Sequence, residues 1–575
     1  MRKQARTSDL RRRLVGVGGG LLGAVLCTVP ADAAERIFFN YGLLGLSLPV
    51  SDLETYTRTG VMSERMAFLA SLAGAKDVVG LRDALNTPLP FSQAQVAQLT
   101  YTPLGERTLQ RIGNLLRTDT DNNSFLALRA ASILAAGDPQ GLTLLNFLRY
   151  YPLQTLRIDV AFGAQLAAEV GNAFDLGETT FSAIEKQADG TPSTAPPPAE
   201  LGDPRRAGPF GTRVRPLVFA NPRYAAAETW LKRASTPMIA ADVYLPEGLT
   251  RPAPVVVISH GLASDRTTFA YLARHLASWG FAAAVLDHPG SDKQLAASIF
   301  SGSATSSGPG EFIARPQYVS SLLDELERLT RTDPLWRGRL DPTQAGIAGQ
   351  SLGGYTALAS GGAGLDKETI RLGCEKSGRL GDIVNPSLLL ECGALNLPAS
   401  APTQLGDARI KAIFAVNPIG VALFGRKELA RIAVPTLLVS ANKDAFARPL
   451  LEQILPFSVL TTSEKYLVLA RNATHFTPAI DPAETQSVLP IPAQFVGPSP
   501  EPYFFAALNA LNLAFFKTHL AGETAYRAFL QPGYVRSLSQ EPFGFSLVNS
   551  LDSPEIQRLI ELERQKQFRV IQTGN

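Results

Sequence analysis

The chain is expected to adopt an α/β fold, a mostly parallel sheet covered on both faces by helices, preceded by a small all-helical domain. Three observations point there. From residue 238 onward, short and continuously apolar runs alternate with helix-period stretches, the pattern of strands buried on both faces. Before about residue 171 the periodicity is helical instead. The length of 575 residues, 45% hydrophobic and 18% charged, exceeds a single core of about 250 to 300 residues and lies far from a disordered composition. Lysine plus arginine number 54 against 51 acidic residues, a net of +3, which leaves no polybasic body for nucleic acid. Five histidines and three cysteines supply little for a His/Cys metal cluster, so no such cluster is expected.

Residues 1–33 read as a secretory signal peptide. Arg2, Lys3, Arg6 and Arg11-Arg12-Arg13 precede the apolar run Leu14 to Val29, and Ala31-Asp32-Ala33 follows as a small-residue cleavage site. The run is glycine-rich and shorter than the roughly 20 apolar residues of a spanning helix, so the protein is expected to be exported, periplasmic or secreted. Arg11 to Val15 also loosely fits a twin-arginine signal, and the export route stays open. Cleavage removes six basic and two acidic residues, which takes the formal charge from +3 to −1, and it removes Cys27. Cys374 and Cys392 remain as candidates for a disulfide.

Residues 35–185 form the expected helical domain. Ser92-Gln93-Ala94-Gln95 reads as a capping box, Thr102-Pro103 as an N-cap with proline at the first helical position, and Phe125 to Ala136 as a helix closed by Gly137-Asp138-Pro139. No histidine or cysteine occurs between Ala33 and His260, so this block carries no catalytic spacing. Residues 186–203 contain Gly190 to Pro198, a proline-rich stretch expected to link two domains. The second domain, 204–522, has strand-like runs at Met238–Leu245, Val255–Ser259, Phe281–Asp287, Ala345–Ala348, Ala412–Val416, Thr436–Ser440 and Tyr466–Ala470. Helical stretches at Thr267–Ser278, Gln317–Thr330 and Leu352–Ala359 intervene. Tyr503 to Leu520 reads as a core helix, interrupted by Asn509, Asn512 and Lys517, and 523–575 as a C-terminal extension.

Chemistry in such sheets sits at the carboxyl ends of the strands. Gly349-Gln350-Ser351-Leu352-Gly353 fits a nucleophile elbow, because a sharp strand-to-helix turn leaves no room for side chains at Gly349 and Gly353. Ser351 then needs a histidine base. Only His475 and His519 follow it, and His519 lies in a helical run whereas His475 follows a strand in a loop. Asp444, in the loop after Thr436–Ser440, is the expected acid. A second strand, Ala412–Val416, ends in Asn417, an amide where some related enzymes carry their acid. Oxyanion donors are expected from the backbone N–H groups of Leu352 and Leu262, with His260 and Gly261 shaping the latter turn.

Together, Ser259-His260-Gly261-Leu262, Asp287-His288-Pro289-Gly290, Gly349 to Gly354, the Asp444 loop and Asn472 to Phe476 resemble an α/β-hydrolase. Within that superfamily the chain looks most like the dienelactone hydrolase and platelet-activating-factor acetylhydrolase-like branch, in secreted bacterial forms with a helical N-terminal domain. The resemblance implies a cofactor-free serine esterase or lipase-like enzyme acting on an ester substrate, with at most peripheral membrane contact. It departs from dienelactone hydrolases in carrying Ser351 rather than cysteine, and from acetylhydrolases at Asn417. Other small esters or polyesters, or a non-catalytic binding module of the same fold, are the alternatives. Leu262, Phe269, Tyr271 and Phe476 suggest an apolar surround. The excursion 361–407, holding both cysteines, reads either as a lid over an acyl pocket or as an insertion packed on the sheet edge.

Overall fold

In a computed structural model, residues 34–41, 44–72, 80–192, 197–221, 238–300, 308–375, 384–479 and 502–572 are described. The expected leader, with its cleavage site, lies outside them, as does part of the proline-rich stretch. The chain divides into two compact units, residues 1–97 with 112–163, and residues 98–111 with 164–575.

The smaller unit is helical for the most part, and the predicted capping box forms: Ser92 N–H donates to Gln95 Oε1 at 2.7 Å. It also contains a four-stranded sheet where only helices were expected. Strands β1 (Arg36–Tyr41), β2 (Leu44–Pro49), β3 (Leu116–Arg117) and β4 (Thr155–Asp159) lie in the order β2-β1-β4-β3. The pairing of Arg36 with Thr155 is non-local, and strands of two to six residues carry too few positions for a period-2 signal.

The larger unit is built on a nine-stranded sheet. Its strands are β5 (Gly211–Ala220), β6 (Met238–Glu247), β7 (Ala253–Ser259), β8 (Ala282–Leu286), β9 (Leu340–Gln350), β10 (Ile410–Val416), β11 (Thr436–Ala441), β12 (Lys465–Arg471) and β13 (Gly544–Val548). They run in the order β13-β12-β11-β10-β9-β7-β8-β6-β5. The six from β8 to β12 are parallel, while β5, β6 and β13 pair antiparallel at the two edges. All seven predicted strands are present. Helix α1 (Val160–Asp189) places Phe181, Ile184 and Ala188 in the core of this unit. That burial explains why the units divide at residues 163 and 164 and not in the proline-rich stretch.

Helices α2 (Glu311–Thr332) and α3 (Leu352–Ser360) cover one sheet face, with Leu322, Leu326, Tyr355 and Leu358 buried there. The helix Ala270–Ser278 and α5 (Pro502–His519) cover the other, through Leu272, Leu276, Leu511 and Phe515; α4 (Val421–Leu429) follows β10. Polar interruptions keep α5 a core helix, and no described helix is long and apolar enough to cross a membrane. Residues 523–572 are not an appendage, because β13 adds to β12 and its own Phe545 and Leu547 are buried in the core.

Candidate active site

Ser351 stands at the turn between β9 and α3 with φ 57° and ψ −120°, a conformation that costs a non-glycine residue free energy and persists only when its surroundings dictate it. Close packing dictates it here. A Cβ on Gly349 would stand 2.1 Å from the Gly353 carbonyl oxygen, and one on Gly353 would stand 2.0 Å from that of Ser259. Ser351 N–H donates to Val416 O at 2.9 Å, so the turn is also anchored to the neighbouring strand.

The three predicted side chains meet at the carboxyl ends of β9, β11 and β12. His475 Nε2 lies 2.8 Å from Ser351 Oγ, and His475 Nδ1 lies 2.6 Å from Asp444 Oδ2. Asp444 Oδ1 accepts the Phe446 and Ala447 N–H groups at 2.9 and 2.7 Å, which fixes the carboxylate plane. Both ionisable side chains are almost wholly buried, at 4% and 0% exposure, so water competes little for these bonds. Phe446 and Phe476 flank the imidazole at ring separations of 5.1 and 5.2 Å.

Leu352 opens α3, where a first-turn N–H has no intrahelical partner. The His260-Gly261-Leu262 loop lies against the serine: a Cβ on Gly261 would stand 3.5 Å from Ser351 Cβ. His260 is fully buried, and burial together with the Arg315 charge pulls it down to about 3, so it stays neutral and shapes the turn. His519 is set apart at the other end of β12, where its Nε2 meets the Tyr466 hydroxyl at 3.1 Å and burial pulls it down to about 4.

Two further residues were not assigned these roles by the sequence. Asn417 does not face the imidazole. Its Oδ1 accepts Ala441 N–H at 3.0 Å and its Nδ2 donates to Thr474 O at 3.3 Å, so it brackets the acid strand and the histidine loop. Gln350 Nε2 donates to His475 O at 3.0 Å. Phe269 and Tyr271, read as part of an apolar surround, line a small cavity with Leu508 and Pro478 that reaches Gly349 and Gln350.

Cys374 and Cys392 are joined by a disulfide within the excursion. Its helix Ser387–Glu391 turns Leu388 and Leu390 against the core. It also buries Glu391 near Glu452. Glu452 accepts from Asn385 Nδ2, Ser387 Oγ and the Gly420 and Val421 N–H groups, while Glu391 accepts from Ala422 N–H at 2.9 Å. Burial and the neighbouring Glu452 charge push Glu391 well above the usual carboxylate range.

A mostly parallel sheet flanked by helices, with serine, carboxylate and histidine beyond the carboxyl ends of β9, β11 and β12, is the α/β-hydrolase fold. Residues 33–159 match the family described as alpha/beta hydrolase of unknown function (DUF1400), and residues 227–314 match platelet-activating factor acetylhydrolase, isoform II. These matches support ester hydrolysis. The second covers the His260 loop but ends before Ser351. No curated protein matches the chain.

Proposed function

We propose that the chain is an exported serine hydrolase that cleaves carboxylic esters, with Ser351 as nucleophile, His475 as base and Asp444 as the acid that orients it. The observation that carries this reading is the continuous Asp444–His475–Ser351 hydrogen-bonded chain, ending on a serine held in the elbow conformation. His475 takes the Ser351 proton at Nε2 as Oγ attacks the ester carbonyl. The Leu352 and Leu262 N–H groups receive the oxyanion, and His475 returns the proton to the departing alkoxide. Water then enters by the same roles and frees the acid from the acyl-enzyme.

The substrate is a lipophilic ester, of the phospholipid acyl or acetyl kind, and the disulfide suits an oxidising compartment. Labelling with a fluorophosphonate and hydrolysis of 4-nitrophenyl esters test the chemistry. Ser351→Ala is expected to abolish labelling and lower kcat by roughly 10⁶-fold without unfolding the chain. Undiminished hydrolysis by that variant would exclude the mechanism, and an unlabelled parent would favour a non-catalytic binding module. Esters graded by acyl length and head group then define the substrate. Sequencing the mature N-terminus from a cell-envelope or culture fraction tests export.

A further inference from the structure

Arg315 has no exposed surface, and its buried guanidinium donates to two backbone carbonyls of one loop and to one serine hydroxyl. Nη1 donates to His260 O at 2.7 Å, Nη2 to Gly261 O at 3.3 Å, and Nε to Ser291 Oγ at 2.9 Å. Ser291 Oγ in turn donates to Glu311 Oε2 at 2.9 Å, and Ser291 O receives Ala263 N–H at 2.9 Å. His260 accepts His288 N–H at Nε2, 3.1 Å away, so its proton sits on Nδ1 and is donated to Gly261 O at 2.7 Å. His288 Nε2 closes the cluster on Ser259 Oγ at 2.7 Å. Burial lowers Arg315 to about 10 and holds both histidines neutral, so at neutral pH the guanidinium is the cation of this cluster.

Burying a charge is costly, and an apolar residue would fill the same volume more cheaply. A peptide unit is planar, so a fixed carbonyl fixes the N–H across the same bond in the opposite direction. Gripping the His260 and Gly261 carbonyls therefore orients the Gly261 and Leu262 N–H groups away from Arg315. The loop is strained as well, with Ala263 at φ 60° just beyond Leu262, a conformation that must be held from outside. We propose that Arg315 is the positioning residue of the oxyanion loop, aiming the Leu262 N–H at the charge that develops on the substrate carbonyl. This rests on the serine-hydrolase reading above. Arg315 touches no substrate; it acts through two peptide units.

The test uses the full chain with Arg315→Gln, Arg315→Lys and Ser291→Ala. Activity on 4-nitrophenyl butyrate is read beside inhibition by a trifluoromethyl ketone, which forms an oxyanion on Ser351, and by its methyl ketone, which serves as the weakly adding reference. For Arg315→Gln, kcat is expected to fall roughly 30- to 300-fold while KM changes less than about threefold. Trifluoromethyl ketone affinity should fall in proportion to kcat/KM, methyl ketone affinity should hold, and lysine should restore part of both losses by reaching one carbonyl. Activity retained within about threefold in folded Arg315→Gln, or lost without loss of trifluoromethyl ketone affinity, overturns the proposal. Should both arginine variants fail to fold, Ser291→Ala decides: it leaves the charge in place but loosens its aim, and an unchanged kcat and inhibitor affinity refutes the role. A parent that forms no trifluoromethyl ketone adduct overturns the Ser351 reading itself, and this one with it.

Discussion

Asp444→Asn tests the site through the proton on His475. In the parent, Asp444 presents Oδ2 to His475 Nδ1 and takes two backbone N–H groups on Oδ1. The amide that replaces it has one oxygen and one NH2. Turning the NH2 toward Phe446 and Ala447 would set donors against donors and strand the buried Ala447 N–H, at about 1 to 3 kcal/mol, together with the half-buried Phe446 N–H. The oxygen therefore stays with the backbone and the NH2 faces His475. A ring that accepts at Nδ1 carries its proton on Nε2, facing Ser351 Oγ, and has no lone pair there for the serine proton. The expected loss is about 10⁴-fold in kcat, or about 5 kcal/mol of barrier at 1.36 kcal/mol per decade. Steady-state hydrolysis of 4-nitrophenyl butyrate measures it, with circular dichroism confirming the fold. A folded variant within about tenfold of the parent would refute both the orientation argument and the assignment of Asp444.

Gly353→Ala would drive its Cβ into the Ser259 carbonyl, and is expected to lose activity and soluble yield together, read by fluorophosphonate labelling per folded molecule. Removing the disulfide by Cys374→Ala with Cys392→Ala frees a loop of sequence separation 18, which corresponds to about 3 kcal/mol of unfolded-state entropy, and calorimetry should show a lower Tm. Glu391 holds a proton in the folded state that the unfolded chain releases above pH 4.5, so its contribution to stability is complete below that pH and declines as pH rises toward the raised folded value. The slope is at most about 1.4 kcal/mol per pH unit. Glu391→Gln keeps the neutral shape, so its Tm should gain on the parent's between pH 5 and pH 8; an unchanged gap would show that Glu391 is not the titrating group.

The parallel strands were legible because strands buried on both faces read as unbroken apolar runs, as in Val255 to Ser259 or Thr436 to Ala441. Ser351, His475 and Asp444 were legible because a glycine-bounded serine and a scarcity of histidines left few combinations in the required order. Strand β5 was not, since it alternates half-exposed and exposed residues at an edge, and β13 was not, since its pairing partner lies far back in the chain. Arg315 escaped for another reason. Nothing in Phe312 to Tyr318 distinguishes an arginine on a solvated helix face from one turned inward onto two carbonyls, and only packing makes that choice.

Strand β13 has a consequence for the order in which the protein is completed. Until Gly544 to Val548 is available, β12 presents a row of unpaired amides and carbonyls, and β12 is the strand that delivers His475. A chain halted or clipped before that point exposes a sticky sheet margin beside its own base. Strand β13 thus covers the margin beside the base, while β5 holds the opposite edge, and until β13 docks that margin is a ready template for pairing with neighbouring chains.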